Sequence, residues 1–349
     1  MNEPTADISR PVPARDLLPF LVVVFVAIVL IAVSVGSAVE AQSAAEAKST
    51  IASPLPELEK PEQTLNKLTL RVLPYLALNL VALPAMAAGA LLIIFFALKA
   101  VIGRRLLPVE WQFDAVWTPL DVLKVAVGAL LVTLPISLIF PGGPDEPISL
   151  RALSAQFVIR VVVAVAILGV VWFRLANSGG QAFSFALVGL RRYRIRRNIK
   201  VGMIAFLCFL VVLICINFLE NRVVQAFHLK VIWQEPVELM MSAKSPASQI
   251  GLAVLAIIIA PFTEELFFRG FLQGILRKRC GSNPAIFATA LLFASAHINA
   301  FVFLPLFVLG LMLGYLYDRT QSLAAPIALH ACQNASSVFV LIAVKLAQG

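Results

Sequence analysis

The chain has 349 residues, of which 60% are hydrophobic and 13% are charged, and its formal net charge is +9. A soluble domain carries charge on about a quarter of its residues, so this composition excludes a soluble protein and indicates one whose apolar surface faces lipid. The basic residues form clusters beside apolar blocks, a pattern that the positive-inside rule of membrane proteins explains. We therefore expect a lipid bilayer, and no nucleic acid, as the partner of these charges.

Nine apolar segments predict an all-α fold, a polytopic transmembrane bundle of about eight or nine spans. Most segments approach the ~20 residues that are needed to cross the hydrocarbon core, and the seventh and eighth are the shortest. The first is longer than the apolar region of a cleaved signal peptide, which predicts a retained signal anchor. In chain order the segments are 17–39, 72–98, 121–140, 155–176, 201–218, 249–276, 284–298, 301–317 and 323–345.

The basic clusters also predict the orientation. With the N-terminus in the cytoplasm, all three large clusters fall in cytoplasmic loops, at 99–120, 177–200 and 277–283. The positive-inside rule therefore predicts a cytoplasmic N-terminus. The expected location is a bacterial inner or plasma membrane. The outer loop 219–248 is expected to hold an interfacial helix.

The densest basic run predicts a boundary inside the chain. It lies at 190–200 and separates an N-terminal membrane region of four predicted spans, 1–190, from the remaining spans. Within the N-terminal region, Arg160 lies in the fourth apolar segment. A charge at that place is expected to snorkel to the interface or to pair.

The sixth segment contains ionisable residues that are costly in a membrane. Glu264, Glu265 and Arg269 each cost about 2.5–3.5 kcal/mol near a helix centre, so they are expected to pair or to line a working cavity. Glu265 and Arg269 are four residues apart and share a helix face, which predicts an ion pair. Glu264 is rotated by about 100° from Glu265, so it faces another surface, open to substrate or water. Pro261 lies one turn before Glu264 and predicts a kink of the helix at its own position.

Two later segments carry one histidine each. Phe293 and His297 share a face of the seventh segment, and His330 and Asn334 share a face of the ninth. Glu264 and His297 each lie about 20 Å along a helix from the same basic loop, at 1.5 Å per residue. A lone intramembrane histidine is more often a packed residue than a catalyst, but two that follow a Glu-Glu pair favour one site. We expect these segments to converge on a cavity that is reached from the cytoplasm.

The three motifs occur in a specific order, Glu-Glu-x-x-x-Arg, Phe-x-x-x-His and His-x-x-x-Asn, each on its own predicted helix. This order resembles the CAAX protease and bacteriocin-processing family of intramembrane endopeptidases, which includes type II CAAX prenyl endopeptidases and Abi domains. The stretch 319–330 also resembles the lead-in to the last motif of that family. The resemblance covers approximately residues 200–346 and gives the four N-terminal spans no role.

The resemblance implies a role for each motif residue. Glu264 would be the general base that activates water, and His297 would help to hold that water. His330 and Asn334 would stabilise the oxyanion. The residues that would brace the site are Glu265, Arg269 and Phe293. Peptide hydrolysis requires such a base and such donors, so the chemistry of the residues agrees with the resemblance.

The use of a metal is open at this level. Glu264, His297 and His330 are ligand types that bind a divalent ion such as zinc with a free position for water. The same residues also activate water directly, and no His-Glu-x-x-His motif is present. We favour direct activation.

The predicted function is hydrolysis of a peptide bond in a membrane-associated or hydrophobic peptide or protein. One alternative is a non-catalytic relative, such as a bacteriocin self-immunity or membrane scaffold protein, because intact motifs do not prove turnover. A second is a transporter or proton relay, which the absence of repeated halves in the sequence disfavours. In a purely structural interpretation of the sixth segment, Glu265 and Arg269 pair while Glu264 is inert.

Overall fold

A computed structural model describes the chain at 84–96, 117–139, 150–176, 188–190, 194–228, 235–243 and 245–348. The first predicted span, with its signal anchor, and most of the second lie outside the described residues. Within the described ranges every regular element is a helix and no strand occurs, so the all-α prediction is confirmed. These helices are α1 (Pro84–Phe96), α2 (Pro119–Ile139), α3 (Leu150–Ala176), α4 (Ile195–Ala226), α5 (Glu235–Ser242), α6 (Pro246–Cys280), α7 (Ser282–Ser295), α8 (Ala300–Thr320) and α9 (Ala324–Gln348).

Five of the described helices, α3, α4, α6, α8 and α9, are long and apolar enough to cross a membrane. They coincide with predicted segments four, five, six, eight and nine, which supports an integral membrane protein. Helix α8 has 21 residues and is longer than its predicted segment. Helix α7 has 14 residues and spans about 21 Å, short of the ~30 Å hydrocarbon core. The total of eight or nine spans and the orientation stay predictions.

The central helix α6 changes its winding twice. It is π-helical at Leu255–Ile259 and again at Leu266–Gln273, and α-helical elsewhere. The first π-helical segment ends two residues before Pro261, and the kink at Pro261 stays a prediction. Between the two lies the short α-helical segment Ala260–Glu265, which carries both glutamates. Such π-helical turns occur frequently at functional sites.

Two glycines of α8 allow α6, α7 and α8 to pack closely. The carbonyl of Gly310 accepts a hydrogen bond from Arg269 Nη2 at 3.2 Å, and that of Gly314 accepts one from Gln273 Nε2 at 2.9 Å. A Cβ added to Gly310 would lie 2.9 Å from Ala290 Cα of α7. This is the close approach that a small-x-x-x-small spacing permits in membrane helices.

Residues before 190 also pack on α6. Trp117 Nε1 donates to the carbonyl of Phe271 at 2.7 Å, and the two rings stack with centroids 5.3 Å apart. A Cβ on Gly270 would lie 2.7 Å from the carbonyl oxygen of Val188. These residues belong to one compact unit, 107–206 with 224–342, and the boundary near 190–200 stays a prediction.

The other compact unit includes the described residues 84–96, 207–223 and 343–348. Within it, Gly89 of α1 faces the backbone carbonyl of Leu207 of α4, where a side chain would have no room. Close helix contact through a glycine therefore occurs in this unit as well.

Replacing Gly310 by Ala should destabilise the protein, because the new methyl group would overlap Ala290 and overpacking costs about 1–3 kcal/mol. The measurement is thermal unfolding in detergent. Gly169→Ala in α3 is the matched control, since nothing lies within 4 Å of its added Cβ and alanine favours a helix over glycine. Equal melting temperatures for the two variants would contradict the close-packing interpretation.

Candidate active site

Glu265 and Arg269 form the predicted ion pair at the centre of the site. Glu265 Oε1 accepts from Arg269 Nη1 at 3.0 Å, and both side chains are 0% exposed. His330 of α9 donates from Nδ1 to the same carboxylate oxygen at 3.0 Å. Glu265 Oε2 is buried and has no hydrogen-bond partner among the described residues. One carboxylate thus joins the first and third motifs.

Phe293 of α7 brings the second motif to the same place. Its buried ring lies against the Arg269 guanidinium, whose central carbon is 4.6 Å from the ring centroid. The ring also contacts His297 and His330 edge to face, with centroid distances of 5.0 and 5.6 Å. Cation–π and edge-to-face contacts of this kind stabilise a fixed arrangement of the rings. The three motifs therefore converge, as predicted.

Glu264 has a different environment from Glu265. Its side chain is 18% exposed, and its Oε1 accepts from Arg160 Nη1 of α3 at 2.8 Å. Its Oε2 lies 3.8 Å from His330 Nε2, which is longer than a hydrogen bond. Glu264 does not share Arg269 with Glu265, as predicted, but it pairs with a cation that the motif analysis did not place in the site. The only feature of the sequence that indicated this pairing was an arginine inside an apolar span.

His297 lies in a turn and not, as predicted, within a helix that continues to residue 298. Helix α7 ends at Ser295, and Ile298 has a φ of +47°, a left-handed conformation that a β-branched residue rarely adopts. The imidazole Nδ1 donates to the carbonyl of Phe293 at 2.8 Å. Asn299 then caps α8, with Oδ1 accepting from Phe301 N at 2.9 Å. These side-chain bonds compete with continued helical bonding and end α7 early.

Both histidines use Nδ1 to bond an oxygen and leave Nε2 for other contacts. Neither Nε2 forms a hydrogen bond with the described residues, and that of His330 faces Glu264. His297 is also close enough to interact electrostatically with the Glu264 side chain. A histidine whose Nδ1 bonds a carbonyl or carboxylate has a fixed ring orientation and a defined role for Nε2.

Asn334 contacts the helix that carries the glutamates. Its Nδ2 donates to the carbonyl of Ala256 at 2.8 Å, in the first π-helical segment of α6. Trp117 makes the corresponding contact with the carbonyl of Phe271 in the second π-helical segment. In each π-helical segment of α6, a backbone carbonyl therefore accepts a hydrogen bond from a side chain in another part of the chain.

The described residues do not fit a metal centre as they stand. Among them, no group of three or more His, Cys, Asp or Glu side chains is arranged to hold a metal ion. Glu264, one of the three predicted ligands, has one oxygen paired with Arg160, so a bound cation would compete with a guanidinium already in place.

A comparison with known protein families matches part of the chain. Residues 246–336 match the family model described as type II CAAX prenyl endopeptidase Rce1-like. The match includes both glutamates, both histidines and Asn334, and it excludes Arg160 and Trp117. A search of curated proteins and a search of solved structures gave no match. Residues 246–336 are therefore similar to the Rce1-like type II CAAX prenyl endopeptidases, which agrees with the family resemblance that the three motifs predicted.

Proposed function

We propose that this protein is an intramembrane endopeptidase in which Glu264 activates water for attack on a peptide bond. The Rce1-like match supports a CAAX-type peptidase in general. The observation that supports this site is the contrast between its two carboxylates. Glu265 is fully buried and bonded to Arg269 and His330, whereas Glu264 is partly exposed and keeps Oε2 free of hydrogen bonds from the described residues.

In this proposal Glu264 Oε2 is the base. A water bound between Oε2 and His297 Nε2 loses a proton to the carboxylate as its oxygen attacks the scissile carbonyl carbon. Collapse of the tetrahedral intermediate breaks the C–N bond, and Glu264 returns the proton to the leaving amine. The reaction consumes one water and yields a carboxylate and an amine.

His330 is the proposed donor to the oxyanion. For this role the N–H at Nε2 donates to the oxyanion, while Nδ1 stays bonded to Glu265, which fixes the orientation of the ring. A donor fixed before the reaction stabilises developing charge without reorganisation. Asn334 has a second N–H besides the one that bonds Ala256, and its part in the oxyanion site stays a prediction.

The proposed substrate is a hydrophobic or membrane-associated peptide or protein. Helices α3, α6 and α9 of the site are apolar enough to cross a membrane, and the proposed route of an apolar substrate is directly from the bilayer. Access of the scissile bond from the cytoplasmic side, in a bacterial inner or plasma membrane, is part of this proposal.

Glu264→Gln should lower kcat/KM for peptide cleavage by about 10²–10⁴-fold, the usual contribution of a general base. The purified protein in nanodiscs would be assayed on a library of quenched peptides, including peptides with lipidated C-termini. Glu220→Gln, which alters a carboxylate in the apolar helix α4, is the matched control and should keep wild-type activity. A folded wild type that cleaves nothing would instead favour the non-catalytic alternative.

Treatment with a chelator should leave the rate within about twofold of the untreated protein, since direct activation of water by Glu264 requires no metal. Protein dialysed against EDTA, and then against 1,10-phenanthroline, would be assayed before and after addition of Zn²⁺. A loss of activity that Zn²⁺ restores would contradict direct activation and support the ligand set Glu264, His297 and His330.

Glu265→Ala should destabilise the protein by about 3–5 kcal/mol, because it leaves Arg269 as an unpaired buried charge. Thermal unfolding in detergent measures this effect. The double variant Glu265→Met/Arg269→Leu removes both charges and should recover most of the stability while activity stays low. A Glu265→Ala variant as stable as the wild type would contradict the bracing role.

A further inference from the structure

Arg160 carries a charge inside an apolar helix, and the structure pairs it with a carboxylate of the site. It lies in α3, within the apolar stretch Phe157–Arg174, which is long enough to cross a membrane. An unpaired arginine near the centre of a span costs about 2.5–3.5 kcal/mol on insertion scales. Among the described residues its acidic partner is Glu264, at 2.8 Å. The guanidinium is therefore the countercharge of the carboxylate that is proposed as the base.

The contact also fixes the orientation of that carboxylate. Arg160 Nη1 donates to Glu264 Oε1 and lies 3.4 Å from Thr263 Oγ1. The Thr263 hydroxyl is itself bonded to backbone carbonyls of α6, at Ile259 and Ala260. The guanidinium thus contacts two adjacent residues of one helix turn. With Oε1 held in this way, Oε2 is the oxygen that faces His330.

No other described residue forms a hydrogen bond with the Glu264 carboxylate. The nearest alternative contact is His330 Nε2, which is too far for a hydrogen bond at 3.8 Å. Glu265, by contrast, is held by both Arg269 and His330. The orientation of Glu264 therefore depends on one side chain, and that side chain comes from outside the Rce1-like segment.

We propose that Arg160 is a positioning residue of the active site, which holds Glu264 so that Oε2 faces the reacting water. This inference rests on the proposed function. It gives the region before residue 190 a role, because α3 supplies a group that the Rce1-like segment lacks.

The test compares Arg160→Gln, Arg160→Lys and Arg174→Gln with the wild type, in nanodiscs and on a peptide that the wild type cleaves. Arg160→Gln should lower kcat about 10- to 100-fold with KM changed less than about threefold, because the group acts on the base and not on the substrate. Arg160→Lys keeps the charge but not the planar guanidinium, so its kcat should lie between those of the wild type and Arg160→Gln. Arg174→Gln breaks an ion pair of the same helix away from Glu264 and should keep wild-type kcat.

The order of kcat, arginine above lysine above glutamine at constant KM, supports the inference. If Arg160→Gln has the same kcat as Arg174→Gln, the inference is overturned. A kcat of Arg160→Gln above that of Arg174→Gln also overturns it, because the ion pair would then be inhibitory. If Arg160→Gln is not recovered folded, a kcat of Arg160→Lys within twofold of the wild type overturns it. No cleavage by the wild type would contradict the proposed function, whereas cleavage that is insensitive to Arg160 would contradict only this inference.

Discussion

The buried charge of Arg269 constrains everything that packs around it. Its side chain is fully buried on an apolar helix, so its charge needs partners inside the protein. Glu265 and the carbonyl of Gly310 accept from its two terminal nitrogens, and Phe293 covers its face. These contacts bring α7 and α8 to α6, and Glu265 in turn brings His330 of α9. The ion pair therefore defines where the histidines lie.

The winding of α6 gives its two adjacent glutamates different surroundings. Both lie in a short α-helical segment between two π-helical segments. Glu265 points into the protein, where Oε2 has no hydrogen-bond partner in the described part of the chain, and Glu264 points to a partly exposed surface beside Arg160. A buried pair with an unsatisfied oxygen is a poor way to gain stability, which favours a functional reason for this arrangement. Glu265 is braced by its partners and Glu264 is accessible, and this division of roles suits the activation of water by Glu264.

Several features of the site follow from local sequence patterns. The Glu265–Arg269 pair follows from spacing by four residues on a helix, and the convergence of the three motifs follows from the cost of polar groups in lipid. The contact of Phe293 with His297 was predicted from a shared helix face, yet it forms across the end of α7. There a histidine side chain bonds the carbonyl that the helix would otherwise use. The spacing therefore predicted that Phe293 and His297 are neighbours. The end of α7 was decided by the His297 side chain, which bonds a backbone carbonyl in place of the next helical N–H.

The sequence by itself determined that the chain is an all-α membrane protein with two glutamates, two histidines and an arginine in three apolar segments. Hydrophobicity and helical periodicity are local properties, so these conclusions need no knowledge of how helices pack. Only the tertiary structure decided which cation faces Glu264, because Arg160 and Glu264 are 104 residues apart in the chain. It also decided that Asn334 and Trp117 bond the π-helical carbonyls of α6. Such long-range pairs depend on the relative placement of whole helices, which no single segment encodes.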